Sequence, residues 1–206
     1  MTRIYLVRHG ETDWNRARRI QGSTDIPLNA TGRQQAATTG RLLARREWSA
    51  IIASPLSRAF ETAQIIAGEV GIDAPLVNDA LVERNYGDAE GLDYTTIEAR
   101  YPNNAPVPGR EEREAVAARV VPAIMKLADE YPGQDIIIVS HGGVIRAVLN
   151  TVAPGDDSGT IRNGSIHSFQ HTDGMLDLIA FDDPIELESL ECATEDITEQ
   201  NALESR

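Results

Sequence analysis

The sequence predicts an α/β fold, a three-layer sandwich whose mostly parallel central sheet carries helices on both faces. Three observations lead to this. Short unbroken apolar runs (Ile4-Tyr5-Leu6-Val7, Ile51-Ile52-Ala53, Ile136-Ile137-Ile138-Val139) have the character of strands covered on both sides. Longer segments between them place apolar residues at helical spacing. The two kinds alternate along the chain instead of segregating, as βαβ units do.

Strand one is centred on residues 4–7 and stops at Arg8-His9-Gly10. The polar stretch 13–19 reads as a short helix or loop, and 21–22 and 25–28 as turn and extended segments. Thr31 is placed to cap a helix reaching about Arg46, with Ala36, Gly40, Leu43 and Ala44 on one face. The second strand ends at Ser54-Pro55. Ser57 is then placed to cap a helix with an apolar face of Ala59, Ala63, Ile66, Ala67 and Val70, stopped by Gly71. Leu76-Val77 and Leu81-Val82-Glu83 read as extended, and 87–108 as loop-rich with one helix near Tyr94–Tyr101. The longest helix takes 111–131, where Val116, Val120, Ile124, Leu127 and Tyr131 follow the helical spacing and Pro122 predicts a kink. Asp135–Ser140 is the clearest buried strand. It ends at His141-Gly142-Gly143, with a helix from Val144 to Val152 after it. Two alternating strands, 165–169 and 175–179, follow, joined by the turn Asp173-Gly174.

A length of 206 residues suits one domain, expected over 1–181, with an acidic tail over 182–206. The net charge is −13, and −8 of it lies in the last 25 residues, where nine acids face one arginine. High charge with few large apolar groups disfavours packing, so the tail is expected to lie outside the catalytic core. The acidity argues against nucleic acid or an anionic membrane as partners. A single cysteine, Cys192, excludes an intrachain disulfide. No apolar run approaches a membrane span, and Arg8 interrupts the first one too early for a signal peptide, so a cytoplasmic location is expected. The oligomeric state stays open, a homodimer included.

Two of the best strands end in His-Gly, at 9–10 and 141–142. If these strands are parallel neighbours, both imidazoles face one crevice at the carboxyl rim, where open α/β sheets bind ligands. The amides of Gly142 and Gly143 then open a helix, a ready anion site. A third strand brings Arg58 to the same rim, and a fourth extended segment brings Glu83. Arg8, Arg16, Arg18 and Arg19 fall within twelve residues of an otherwise acidic protein, which points to a local anion site. Two histidines, two arginines, a carboxyl group and free amides describe phosphoryl transfer through a phosphohistidine. His167 and His171 are four apart, like a helical zinc pair. On a strand, however, that spacing spans about 13 Å, so no metal is expected from them.

The motifs R-H-G-E-T at 8–12, R-x-Q-G at 19–22, D-x-P-L at 25–28 and G-x-x-Q-A at 32–36 come in sequence. S-P-L-x-R-A at 54–59, L-x-E-R-x-Y-G at 81–87, E-G at 90–91 and V-S-H-G-G at 139–143 follow them. In this order they resemble the histidine phosphatase superfamily, in its phosphoglycerate-mutase-like branch. The resemblance implies that His9 is the nucleophile and Glu83 the acid that protonates the leaving oxygen. It implies that Arg8, Arg58 and His141 bind the transferred phosphoryl group, helped by Asn15 and the Gly142 amide, and that Gln21, Gly22, Arg84 and Tyr86 contact substrate. No metal or other cofactor is implied. The family's G-E-S at the start of the long helix is replaced here by Gly109-Arg110-Glu111-Glu112, which removes the usual N-cap and adds a cation. The expected activity is hydrolysis of small phosphate monoesters. A bisphosphoglycerate-dependent phosphoglycerate mutase is the alternative, and a non-catalytic phospho-ligand-binding relative is a second. The segment 91–108 favours the phosphatase, because it holds no lysine and only Arg100 where a mutase needs cations over its ligand.

Overall fold

The computed structural model describes residues 1–155 and 159–183. Six strands form one sheet: β1 (Thr2–Arg8), β2 (Ala50–Ala53), β3 (Leu76–Val77), β4 (Asp135–Ser140), β5 (Ile166–Thr172) and β6 (Met175–Ala180). Their order is β3-β2-β4-β1-β5-β6. The pairs β1–β4, β2–β4 and β2–β3 are parallel, while β5 runs antiparallel to both β1 and β6. Asp173 and Gly174 both adopt positive φ in the β5–β6 turn, the primed geometry that matches strand twist.

Alternate residues of the central strands feed two separate cores. On one face Ile4, Leu6, Ile136, Ile138 and Phe169 pack against α5 (Arg113–Glu130) and α6 (Gly142–Val152). On the other, Tyr5, Val7, Ile51, Ile137 and Val139 pack with side chains of α2 (Ala30–Leu43) and α3 (Ser57–Val70). Both faces being covered explains why these strands are apolar throughout instead of alternating with polar residues. Each such Ile, Val or Leu contributes about 1.5–3 kcal/mol over exposure. The expected three-layer α/β sandwich is present.

The chain leaves β1 toward the α2/α3 layer and leaves β4 toward the α6 layer. The carboxyl ends of these two neighbouring strands therefore bracket a crevice with opposite exits, a topological switch point. In their register Val7 lies opposite Val139 and Arg8 opposite Ser140, so His9 and His141 emerge at the same level.

Several local expectations are corrected. The α2 cap is Asn29, not Thr31: its side chain accepts from Gly32 N at 2.8 Å, and the helix ends at Leu43. Ser57 does not cap α3. It is the first helical residue, and its amide and hydroxyl both donate to Asp25 Oδ1 at 2.8 Å, so a carboxylate from a distant loop stabilises that helix end. Leu81 closes a 3₁₀ turn (Asp79–Leu81) instead of a strand, because Asn78 caps the turn by accepting from Ala80 N at 3.0 Å. Glu83 thus reaches the rim from a loop. At the start of α5, Glu112 makes no side-chain cap bond, and the helix continues through Pro122.

Segment 91–108 is folded on its own small core. Ile20, Tyr86, Ala89, Ile97 and Val107 are buried together, with α4 (Tyr94–Arg100) laid across them. Asp182 and Asp183, where the acidic stretch begins, are bonded to β5: Asp183 N donates to Ile166 O and Ser168 Oγ donates to Asp183 Oδ2, both at 2.8 Å. The rest of the expected tail, 184–206, lies outside the described residues. Among the described residues, no helix is long and apolar enough to cross a membrane.

Candidate active site

His9 and His141 leave adjacent parallel strands with their ring centroids 5.1 Å apart. Both are buried. His9 Nδ1 lies 2.7 Å from Gly10 O, an atom that can only accept, so the ring proton is fixed on Nδ1. Burial, reinforced by Arg58 and Arg8, pushes the His9 pKa well below its ordinary value. The ring is therefore neutral near pH 7, with its lone pair on Nε2. His141 is lowered in the same way, by burial first and then by Arg58, His9 and Arg8. Its Nε2 lies 2.8 Å from Ser54 Oγ, and its Nδ1 has no hydrogen-bond partner among the described residues.

Arg8 and Arg58 are among the most deeply buried side chains of the chain. Arg8 Nη1 donates to Ile161 O at 2.6 Å. Arg58 donates to Gly22 O (2.7 Å) and Thr24 O (2.9 Å), while its Nε lacks a partner among the described residues. Burial lowers the Arg58 pKa to about 10, opposed by Glu83 and Asp25, so it remains charged at neutral pH. Two buried cations beside two neutral imidazoles, with Glu83, Asp25 and Glu90 the carboxylates that act on Arg58, make a crevice suited to an anionic phosphoryl group.

Glu83 faces the same crevice. Its Oε1 accepts from Arg84 N (2.7 Å) and its Oε2 from Gly143 N (3.0 Å). This corrects one expectation: the Gly143 amide is not free for a ligand, because it orients Glu83. A Cβ at Gly143 would lie 2.6 Å from Glu83 Oε1 and 3.1 Å from the Tyr86 hydroxyl, so glycine is required for both groups to converge there. Asn15 is buried, with Oδ1 accepting from Thr12 N and Nδ2 without a partner among the described residues. Gln21 receives the Thr12 hydroxyl at 2.8 Å. Gly22 has φ +55°, and a Cβ there would fall 2.1 Å from Glu90 Oε1.

The expected site residues thus converge, but Arg16 and Arg19 do not join them. Arg16 is exposed and paired with Asp13 at 2.6 Å, and Arg19 is exposed beside a backbone bridge to Asp93. Several supports act through contacts that the sequence does not show. Asn163 Nδ2 donates to His9 O at 3.0 Å from 154 positions away, and Thr62 Oγ1 accepts from Gly10 N at 3.1 Å. Glu90 accepts from the amides and hydroxyls of Ser23 and Thr24 and from Tyr86 N. Burial opposes its ionisation, yet these bonds outweigh it and hold its carboxyl below the usual range. Glu90 thereby fastens the loop whose carbonyls hold Arg58.

The sequence model of the histidine phosphatase superfamily (branch 1) matches residues 4–184. This chain belongs to that superfamily. It is 44% identical over 157 residues to the uncharacterised phosphatase PhoE of Bacillus subtilis, covering 76% of this chain and 80% of that protein. It is 38% identical over 184 residues to phosphoglycerate mutase-like protein 4 of Arabidopsis thaliana, covering 83% and 80%. The structure of a mycobacterial glucosyl-3-phosphoglycerate phosphatase in complex with VO3 superposes with a TM-score of 0.80 at 29% identity, over 87% of this chain and 98% of that one.

Physical reasons now attach to the superfamily motifs. In G-x-x-Q-A the first turn of α2 lies directly on the Gly10-Glu11 backbone. A Cβ at Gly32 would be 2.1 Å from Glu11 O, and one at Gly10 would be 2.2 Å from Gly32 O. Gln35 Oε1 accepts from Glu11 N at 2.8 Å, and Ala36 is fully buried. The strand residue His167 belongs to no such motif. Asp182 N donates to its Nδ1 (3.1 Å), so its Nε2 carries the proton and donates to Ser165 Oγ (2.9 Å).

Burial, with Arg146 and Arg8 nearby, holds the His167 pKa at about 3. A buried histidine with a lowered pKa is stable while neutral, and the unfolded chain takes up its proton first, near pH 6.5. Stability therefore falls as pH drops from about 6.5 toward 3, by an amount on the order of a few kcal/mol for His167 alone. The urea midpoint is expected to be clearly lower at pH 5.0 than at pH 7.5, a window above the range of ordinary carboxylates. His9 and His141 add to the same slope, so His167→Asn should reduce it without abolishing it; an unchanged slope would remove His167 as a contributor.

Proposed function

We propose that the protein is a phosphomonoester hydrolase acting on small phosphorylated metabolites through a phosphohistidine at His9. The observation that carries this reading is the neutral His9 ring, its proton fixed on Nδ1 by Gly10 O, beside two buried arginines. His9 Nε2 attacks phosphorus, and the P–N bond forms as the bond from phosphorus to the alcohol oxygen breaks. Glu83 enters as the carboxylic acid and gives its proton to the departing oxygen. Water then attacks the phosphohistidine and passes a proton to the Glu83 carboxylate. The P–N bond breaks, and phosphate leaves with both residues restored. Arg8, Arg58, Asn15 and His141 hold the equatorial oxygens, where negative charge accumulates. Gln21 and Gly22 support the phosphoryl side through Thr12 and Arg58, and the start of α6 at Gly142 adds the positive end of a helix.

Hydrolysis is favoured over mutase activity by the segment beside the site. A mutase must hold a highly charged bisphosphate and exclude water. Segment 91–108 instead turns its apolar groups into its own core, and its sole cation, Arg100, is exposed. Relatives bearing phosphatase names are consistent with this. The test is release of phosphate from 3-phosphoglycerate, set against its interconversion with 2-phosphoglycerate in the presence of bisphosphoglycerate. Release is expected to dominate. Interconversion faster by orders of magnitude would make the mutase the correct reading.

A further inference from the structure

The two ring nitrogens of His141 have different surroundings. Nε2 lies 2.8 Å from Ser54 Oγ, while Nδ1 is buried with no hydrogen-bond partner among the described residues. Burial keeps the ring neutral near pH 7, so one nitrogen carries the proton and the other is an acceptor. Ser54 decides which. It follows β2, the strand that flanks β4 on the side away from β1. Ala53 pairs with Val139 and the Ser54 amide donates to Val139 O at 3.0 Å, so Ser54 and His141 leave adjacent strands at neighbouring levels.

The Ser54 side chain is fully buried, away from bulk water. Its oxygen accepts from the Leu56 amide at 3.3 Å, a turn that the serine closes on its own backbone. Its proton then has a single acceptor among the described residues, His141 Nε2. If Nε2 donated instead, the hydroxyl proton would be buried and unbonded, with the desolvation penalty of an unmet donor. The hydroxyl therefore donates, Nε2 accepts, and the ring proton sits on Nδ1. In water histidine prefers the other form, with the proton on Nε2, so Ser54 works against the intrinsic preference of the ring.

We propose that Ser54 is a positioning residue: by donating to His141 Nε2 it fixes the proton on Nδ1, so that the ring presents an N–H to the phosphoryl group carried by His9. This rests on the phosphoryl-transfer reading of the crevice. Both imidazoles then carry their proton on Nδ1, with opposite consequences. Gly10 O occupies the N–H of His9 and frees a lone pair for attack, whereas Ser54 occupies the lone pair of His141 and frees an N–H. A third cation beside Arg8 and Arg58 would repel them. A fixed neutral donor adds a hydrogen bond to the transferred group without adding charge. Ser54 also opens the turn that leads to Arg58 in the first turn of α3, so one short segment supplies both the orienting hydroxyl and a buried cation.

Long-range ¹H–¹⁵N correlation spectra of the full chain, labelled with ¹⁵N at histidine, read the tautomer. The chain has four histidines, and the His141 signals are identified by their absence in His141→Gln. At neutral pH the unmodified chain should show His141 protonated at Nδ1 and bare at Nε2. Ser54→Ala should move the proton wholly or partly to Nε2, while Ser54→Thr, which keeps the hydroxyl, should hold it on Nδ1. Orthovanadate, standing in for the phosphoryl group in transfer, should shift the Nδ1 proton of the unmodified chain downfield as it gains a partner. In Ser54→Ala, kcat/KM for p-nitrophenyl phosphate should fall by about 10- to 100-fold, with at least partial recovery in Ser54→Thr. A role in packing alone would lower the melting temperature without moving the proton. The proposal is overturned by a proton on Nε2 in the unmodified chain, or by a tautomer that Ser54→Ala leaves unchanged. An Nδ1 proton indifferent to bound vanadate, or a moved proton with unchanged turnover, overturns it equally. Failure of the hydrolase reading looks different: the unmodified chain would release no phosphate and bind no vanadate, while the His141 tautomer still depended on Ser54.

Discussion

His9→Ala is expected to lower phosphate release from every monoester by at least about 10⁴-fold, to the background of the assay, since it removes the group that forms the covalent intermediate. The fold should survive. Among the described residues His9 makes one side-chain hydrogen bond, to its neighbour Gly10 O, and the backbone around it is held independently by Ser140 O, Thr62 and Asn163. Removing an imidazole from beside two buried cations also leaves no charge unpaired that was paired before. The measurement has two parts: steady-state phosphate release, and trapping of acid-labile phosphate on the protein after rapid quenching with a labelled ester. Label should appear on the unmodified chain and disappear in the variant. Acid-labile phosphate found on any other residue would sink the assignment.

Glu83→Gln should discriminate between leaving groups. An alkyl oxygen must be protonated as it departs, whereas p-nitrophenolate leaves readily as the anion. The substitution should therefore slow an alkyl phosphate by about 10²–10⁴-fold in the chemical step, and p-nitrophenyl phosphate by less than about tenfold. The ratio is the informative quantity, because glutamine also disturbs local geometry. Both Glu83 oxygens accept from backbone amides, Arg84 N and Gly143 N. Glutamine can accept on one side only, and its NH₂ must face the other donor. That disturbance affects both substrates alike and cancels in the ratio. Equal slowing of the two would remove Glu83 as the general acid.

Much of this protein was legible before any fold was known, because its central strands carry their own signature. A run such as Ile136-Ile137-Ile138-Val139 can satisfy its apolar side chains only if both faces are covered, so it announces a buried strand and a layered fold. The His-Gly pairs at two strand ends were equally plain: a strand that stops at polar groups delivers them to a rim. Where local rules failed, a partner distant in sequence had displaced a nearby one. Ser57 has the chemistry of an N-cap, yet Asp25, 32 positions earlier, takes that role for α3. Leu81-Val82-Glu83 has the composition of a strand, but among the described residues no sheet edge receives it and Asn78 closes a turn instead.

Residue types and their order were sufficient for the α/β class, for the superfamily and for the set of groups at the crevice, since these depend on local apolar patterning and on motifs a few residues long. Pairing, tautomer and charge balance were decided only in three dimensions. Nothing in the sequence indicates that the Gly143 amide belongs to Glu83, that Glu90 ties down the loop holding Arg58, or that Arg16 faces solvent while Arg84 and Arg110 lie over the Tyr86 ring. The physical reason is common to all three. A hydrogen bond or a Coulomb interaction is set by distance in space and by exclusion of water, and both arise only when β1 and β4 lie side by side and the loops after them close over the rim.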